Sequence, residues 1–302
     1  MSLLEVPCAV CGGLRFDPVF GSTILDGRHD PWLYFSSSRE RAGHLAIVRC
    51  RDCGLLLTNP RDDDATLARV YAALEDRVYL GEEESHRRTA AKLLALITKY
   101  CPKPGNLLDI GCATGSFVCA AHQAGWRATG VDASKWAIAR ARERCPDATF
   151  VNDLLENEAF EDSSFAAVTL WDVLEHVRSP AETLELVRKW LAPGGLLFLN
   201  VPSSDSLTAR LMGRHWVLLL REHLWYFSRT SIHRLLGQAG FELIRTRPTL
   251  VRHSVANIAG RVAQYPGWLG RAAKPFARSR VLKRFVIWFP IGEMNIVARK
   301  KP

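Results

Sequence analysis

Residues 107–117 read LLDIGCATGSF, an apolar run carrying one aspartate that empties into a turn with glycines at 111 and 115. A strand that ends on such a turn and passes straight into a helix restricts the fold. In an open α/β sheet a ligand binds beyond the carboxyl ends of the strands, at the first strand-to-helix turn. Missing side chains at Gly111 and Gly115 let that ligand approach the backbone.

The stretch that follows alternates in character. Strand patterns fall at 106–111, 127–132, 148–152, 165–171 and 195–201, and helix patterns at 115–125, 134–144, 180–191 and 229–239. Such alternation predicts an α/β fold with a Rossmann-like, doubly wound, mainly parallel sheet. Two further strand patterns, 241–248 and 294–300, bracket a basic stretch. At 302 residues the chain holds one core and a smaller module. The longest apolar runs, WVLLL at 216–220 and FVIWF at 285–289, are too short to span a bilayer as helices. The start MSLLEVPCAVCGG lacks a basic segment followed by an apolar one, so the expected location is the cytoplasm.

The turn itself selects the nucleotide. A dinucleotide site uses G-x-G-x-x-G to seat a pyrophosphate, whereas this chain has G-C-A-T-G with Asp109 two residues before the first glycine. A carboxylate there repels a pyrophosphate and attracts a ligand bearing an ammonium and a sulfonium, and S-adenosylmethionine is one such ligand. Asp132, at the end of the second strand, is placed to accept ribose hydroxyls, and Asp153, after the third, to take the adenine amino group. The stretches LLDIGCATGSF, GVDAS, VNDLL, AAVTLWDVLEHV and LAPGGLLFLNVP resemble, in order and spacing, the class I methyltransferases over roughly residues 80–250. That resemblance implies cofactor contacts from Asp109, Gly111, Cys112, Gly115, Asp132, Ala133, Asp153, Leu154 and Trp171. Many members have glycine where this chain has Ala113, which makes the loop stiffer.

Methyl transfer from a sulfonium is an in-line displacement, so alignment of the acceptor supplies most of the catalysis. The stretch WDVLEHV at 171–177 resembles that of quinone-biosynthesis methyltransferases, where it lines the transfer site. His176 is a candidate base, with Glu175 beside it; the competing reading has the two capping the next helix and pairing locally. His223, in REHLWYFS, is a second candidate, since a similar stretch crosses the site's mouth in many relatives; aromatic packing at a sheet edge also accounts for the run. The helix after it opens at Ser228, Thr230 or Ser231. The stretch 211–220 is expected to cap the pocket with apolar surface, suiting an acceptor with a greasy portion.

Two C-x-x-C-G knuckles, Cys8/Cys11 and Cys50/Cys53, stand 38 residues apart. Four thiolates close a tetrahedral shell, and the glycine after each pair permits the tight turn, so the pattern predicts structural Zn2+ with no open position for catalysis. A redox pair is the competing idea, but it belongs in a βαβ unit and does not come twice with matching glycines. The expected organisation is a zinc ribbon at 1–62, a helical connector at 63–104 with Leu67, Val70, Tyr71 and Leu74 at helical spacing, and a cofactor domain at 105–302. Ribbon, connector and Tyr79 resemble zinc-ribbon-bearing methyltransferases of sugar and cell-surface glycan pathways.

The net charge of +9 is uneven: between Leu243 and Gly292 there are ten basic residues and no acidic one, so the rest is nearly neutral. Residues 253–290 are expected to form a basic helical lid before the last strand. One helix is predicted from Val255, Ile258 and Val262, another from Leu282, Phe285, Val286 and Phe289, with Pro266 and Pro275 as breaks. Either the lid packs on the core with its basic side in water, or it lies on the inner face of an anionic membrane. The expected function is methylation of a small-molecule or lipid- or glycan-linked acceptor, preferably at oxygen. The alternative is an RNA methyltransferase or nucleic-acid-binding protein, against which the ribbon lacks a basic cluster interleaved with aromatics.

Overall fold

The knuckles and the turns between them build the first layer. In a computed structural model, residues 3–24, 43–73, 83–155, 160–263, 268–279 and 281–302 are described. Strand β1 (Leu3–Leu4) pairs antiparallel with β5 (Arg61–Asp62). Strands β2 (Phe16–Phe20), β3 (Ile47–Cys50) and β4 (Leu56–Thr58) form antiparallel neighbours. Helix α1 (Asp64–Ala72) follows, its first turn closed by Asp63, which accepts from the Thr66 N–H at 2.7 Å. Helix α2 (Glu83–Tyr100) completes the connector; Leu74 and Tyr79 lie outside the described residues.

Beyond it stand β6 (Asn106–Ile110), α3 (Ser116–Gln123), β7 (Arg127–Asp132), α4 (Lys135–Arg144), β8 (Thr149–Asn152), β9 (Phe165–Trp171), α5 (Pro180–Trp190) and β10 (Leu191–Pro202). The expected boundaries differ from these by a residue or two, except that β10 starts four residues early. Leu107, Leu108 and Ile110 are buried, as a strand covered by helices on both faces requires. Seven strands form one sheet in the order β12, β13, β10, β9, β6, β7, β8, where β12 is Phe241–Ser254 and β13 is Val286–Lys300. Strands β6 to β10 pair in parallel; β13 runs antiparallel to both its neighbours. The two central crossover turns therefore deliver 111–115 and 171–176 to the same edge of the sheet.

The remaining elements are α6 (Leu207–Met212), β11 (Trp225–Tyr226), α7 (Arg229–Gln238), α8 (Val255–Val262) and α9 (Trp268–Ala277). Ser228 caps α7 in a reciprocal capping box with Ser231. The basic stretch departs from expectation. Helix α8 forms, but 282–289 does not: residues 286–290 are strand, paired from Leu250↔Pro290 to Ser254↔Val286. Val286, Ile287, Trp288 and Phe289 are β-branched or aromatic, and a short apolar run carries either period. Helical structure is thus confined to 255–277, and Pro275 sits inside α9 instead of ending it. Pro266 and Arg280 lie outside the described residues.

Two tethers join the first layer to the last part of the chain. Strand β11 adds to β4 as a fourth strand, Trp225 opposite Leu57 and Tyr226 opposite Leu56. Beside it the Arg221 guanidinium meets the Asp62 carboxylate at 3.1 Å, both side chains almost wholly buried. Leu219 and Trp216 pack with Ile47 and Tyr226, so the expected apolar cap turns its buried side to the first layer and leaves Leu211 exposed. Removing one member of a buried pair strands the other charge, a loss of about 3–5 kcal/mol. Asp62→Ala should therefore lower the unfolding free energy by that amount in urea titration, whereas exposed Asp17→Ala should change it by under about 1 kcal/mol.

Candidate active site and cysteine centre

The turn after β6 owes its shape to left-handed residues. Gly111 has φ +71° and Gly115 φ +75°, and a Cβ at either would stand 2.5 Å from Val173 Cγ2 or 2.8 Å from the Phe150 ring. Ala113 shares this region at φ +46°, a cost of about 1–2 kcal/mol for a residue with a Cβ. The strained turn aims the Ala113 N–H at Asp132 Oδ2, 2.9 Å away, while Oδ1 accepts from the Ser134 N–H at 2.8 Å. Each oxygen keeps a lone pair for a further donor.

Asp109 lies one strand over, buried, with Oδ1 accepting from the Thr169 hydroxyl at 2.6 Å. Burial, with the Asp132 charge adding, pushes its carboxyl up to about 7, and burial raises Asp132 too. Among the described residues neither carboxylate has a lysine or arginine within ion-pair range. A cation is what this cleft lacks, and the sulfonium and ammonium of S-adenosylmethionine fit that need. Asn152, opposite Asp132 in the sheet, donates to the Asp132 and Ala133 carbonyls at 3.0 Å, which brings Asp153 and Leu154 beside them. Asp153 Oδ1 accepts from the Leu154 N–H. The Trp171 ring meets Phe117 edge-on at 5.7 Å, and its indole N–H is buried without a partner among the described residues. The Cys112 thiol points away under Gly130, so only its backbone borders the loop.

The second group of residues, Glu175, His176 and His223, comes together although 47 positions separate its two histidines. The Glu175 carbonyl accepts from the Leu224 N–H at 2.8 Å and the Trp225 N–H at 3.3 Å, which seats His223 beside it. The imidazole centroids stand 4.7 Å apart, and His176 Nε2 is 4.0 Å from Glu175 Oε1. His176 Nδ1 lies 2.9 Å from the Glu222 carbonyl and His223 Nδ1 2.9 Å from that of Leu218. A carbonyl only accepts, so both Nδ1 atoms carry hydrogen and both Nε2 atoms carry lone pairs. Tyr71, from α1, places its hydroxyl 3.1 Å from His176 Nδ1, and burial first, with the charges of Glu222, Glu175 and Asp132 adding, holds that hydroxyl well above its ordinary value. Burial holds His176 down at about 4, His223 well below its ordinary value and Glu175 well above. The next helix, α5, is capped by Ser179 and not by Glu175 or His176.

Several supports had no local signal in the sequence. Asn200 donates to Asp172 at 2.5 Å and to Glu293 at 3.0 Å, linking β9, β10 and β13. Burial lifts Asp172 to about 6 and Glu293 to about 8. The carbonyls of Leu218 and Glu222 are equally invisible, since every residue has one.

At the other end the four knuckle cysteines converge. Cys8 Sγ is 3.3 Å from Cys53 Sγ, Cys11 Sγ is 3.5 Å from Cys50 Sγ, and all four sulfurs lie within 4.8 Å of one another. Gly12 and Gly54 have φ +70° and +77°, and each N–H closes its knuckle on the carbonyl of Cys8 or Cys50. Four sulfurs at this spacing fit a tetrahedral thiophilic ion.

The reversed last strand marks a Rossmann-like fold of the methyltransferase type, with a carboxylate-lined turn that suits a cationic nucleoside. A family model described as a methyltransferase domain matches residues 82–246. The chain belongs to this family, the class I S-adenosylmethionine-dependent methyltransferases. It is similar to an uncharacterized methyltransferase of Synechocystis sp., 32% identical over 188 residues, 58% of this chain and 84% of that protein. It also resembles the dTDP-3-amino-3,6-dideoxy-alpha-D-glucopyranose N,N-dimethyltransferase of Streptomyces fradiae, 28% identical over 43% of this chain and 52% of that one. A ubiquinone biosynthesis O-methyltransferase of Methylococcus capsulatus is 33% identical over 35% of this chain and 46% of its own length. The chain thus spans about half of the last two. A chain from the complex of the Haloferax volcanii Trm112 methyltransferase activator shares the fold, with a TM-score of 0.55 at 19% identity, covering 79% of this chain and 96% of that one.

Asp109 gives this cleft a pH dependence with a definite sign. Its folded value is raised from 3.8 to about 7, so the unliganded fold loses stability as pH rises across that interval, because the unfolded carboxyl ionises first. A cation paired with the ionised form binds more tightly over the same rise. S-adenosylmethionine affinity should strengthen about tenfold between about pH 6 and 8 by calorimetry, and Asp109→Asn should flatten the profile.

Proposed function

We propose that the chain transfers the methyl group of S-adenosylmethionine to an oxygen of a small or lipid- or glycan-linked acceptor. The observation that carries this reading is the trio Glu175, His176 and His223, two imidazole lone pairs and a carboxyl gathered beside the cofactor turn. Bound there, the cofactor supplies an electrophilic methyl carbon on sulfur. Asp109 meets its positive charge, Asp132 its ribose, and Asp153 with Leu154 its base; Gly111, Cys112, Gly115, Ala133 and Trp171 shape the walls. His176 and His223 accept hydrogen bonds from the acceptor hydroxyl and turn its oxygen toward the methyl. A neutral imidazole does this across the physiological range. Relatives named as O-methyltransferases support oxygen; the relative named as an N,N-dimethyltransferase supports nitrogen. His176→Ala should lower kcat by about 10²-fold or more while S-adenosylmethionine affinity stays constant. An unchanged kcat on hydroxyl acceptors, or turnover of amines alone, would remove oxygen as the target.

For the cysteines the same reading assigns structural Zn2+. All four positions are filled by sulfur, so the ion activates no water. Cys50→Ser should release one Zn2+ per chain in elemental analysis and lower the melting temperature before it touches turnover.

The lid carries the lipid-linked part of the proposal. Phe276, Val281, Phe285, Ile287 and Trp288 are exposed on a segment with Arg271, Lys274, Arg278, Lys283 and Arg284 and no acid. Trp268 and Phe289 belong to the expected aromatic set, but their side chains lie outside those described. Among the described residues no helix is long and apolar enough to cross a membrane. Exposed aromatics beside cations suit the surface of an anionic bilayer, each basic residue adding about 1 kcal/mol. Lys283→Glu with Arg284→Glu should abolish salt-sensitive cosedimentation with phosphatidylserine vesicles. Retardation of RNA without any vesicle binding would favour a nucleic-acid acceptor instead.

A further inference from the structure

The acceptor-side trio has a feature that hydrogen bonding to an acceptor does not use. Glu175 is 1% exposed, and its Oε2 has no hydrogen-bond partner among the described residues. An orphaned carboxyl oxygen in a buried site costs about 1–3 kcal/mol or more. The remedy is not a nearby arginine or lysine, because no cationic side chain pairs with Glu175 among the described residues. Its other oxygen, Oε1, faces His176 Nε2 at 4.0 Å, and one ring nitrogen of each histidine and one oxygen of Glu175 all lie within 4.8 Å of one another.

We infer that Glu175, His176 and His223 hold a divalent transition-metal ion on the acceptor side of the cleft, distinct from the ion of the four cysteines. Three features support this. Both histidines are fixed in the tautomer a metal requires: each Nδ1–H is donated to a backbone carbonyl, that of Glu222 for His176 and of Leu218 for His223, the support that ligating histidines almost always have. The ligands are set by main chain, since the Glu175 carbonyl itself grips the N–H groups of Leu224 and Trp225 and so places the third ligand. The donor set is two imidazoles and one carboxylate, which suits Zn2+, Mn2+, Fe2+ or Co2+; Mg2+ and Ca2+ favour all-oxygen shells.

Three protein ligands leave coordination positions open. In this position the ion would do what neutral imidazoles do poorly. An acceptor hydroxyl bound to it becomes more acidic and releases its proton to solvent water. The oxygen lone pair then forms the bond to the methyl carbon as the carbon–sulfur pair departs to sulfur. This step rests on the oxygen-directed reading above, whereas the ion site itself does not.

The test uses full-length protein with its cysteine ion in place, dialysed against Co2+ and separately against Mn2+, with bound metal counted by elemental analysis and S-adenosylmethionine binding measured on the same samples. Wild type should hold one ion per chain beyond that of the cysteines. His176→Ala and the conservative Glu175→Gln should each weaken this ion at least tenfold, with circular dichroism and cofactor affinity unchanged. In Co2+ the second ion should add the weak visible bands of nitrogen and oxygen ligation, without thiolate charge transfer. No additional ion in wild type, or equal uptake by the variants, would overturn the inference while leaving the methyltransferase reading intact. An ion that binds while no hydroxyl acceptor is ever methylated would leave the site standing and remove the oxygen-directed reading.

Discussion

Much of the acceptor side depends on the seam between residues 58–62 and 221–226. There the Thr58 hydroxyl donates to the His223 carbonyl at 2.8 Å, the Thr58 N–H donates to that of Leu224 at 3.0 Å, and Asp62 meets Arg221 in a buried ion pair. The other side of the same segment is held by Glu175, so 221–225 is gripped by the cofactor domain and the N-terminal layer together. His223 is consequently positioned by two parts of the chain far apart in sequence. Arg61 reinforces the junction, stacking over Trp225 at 5.2 Å and donating to the Arg178 carbonyl. The four-cysteine centre lies in the same N-terminal layer, Cys50 ending β3 opposite Phe16.

The two halves of the cleft follow opposite electrostatic plans. On the proposed cofactor side Asp109 and Asp132 are desolvated and the Asp132 charge raises Asp109 further, a cost that a ligand carrying a sulfonium and an ammonium would repay. On the proposed acceptor side burial pushes both imidazoles down and the Glu175 carboxyl up, each toward its uncharged form.

The regular core and the cofactor turn were legible because their causes are local. Leu107, Leu108 and Ile110 mark a buried parallel strand by composition alone, Gly111 and Gly115 mark a left-handed turn, and Ser179-Pro180 and Ser228 mark helix starts. The two C-x-x-C-G pairs were legible for the same reason, since spacing and glycine are properties of a few adjacent residues. The segment at 282–289 misled because FVIWF fits a helical spacing as well as a strand, and the partner that chose the strand, residues 250–254, lies more than thirty positions away.

By itself, then, the sequence determined the order of strands and helices, the glycine turn with its aspartates, and the four-cysteine pattern. It also named His176 and His223 as candidates, though not what they do together. Only the tertiary structure decided that β11 would join the N-terminal sheet, that Tyr71 would reach His176, and that Asn200 would tie three strands. It alone set two histidines and an unpartnered glutamate oxygen around one small space. Those outcomes turn on backbone carbonyls and long-range pairing, and a carbonyl is chemically identical at every position until the fold gives it a neighbour.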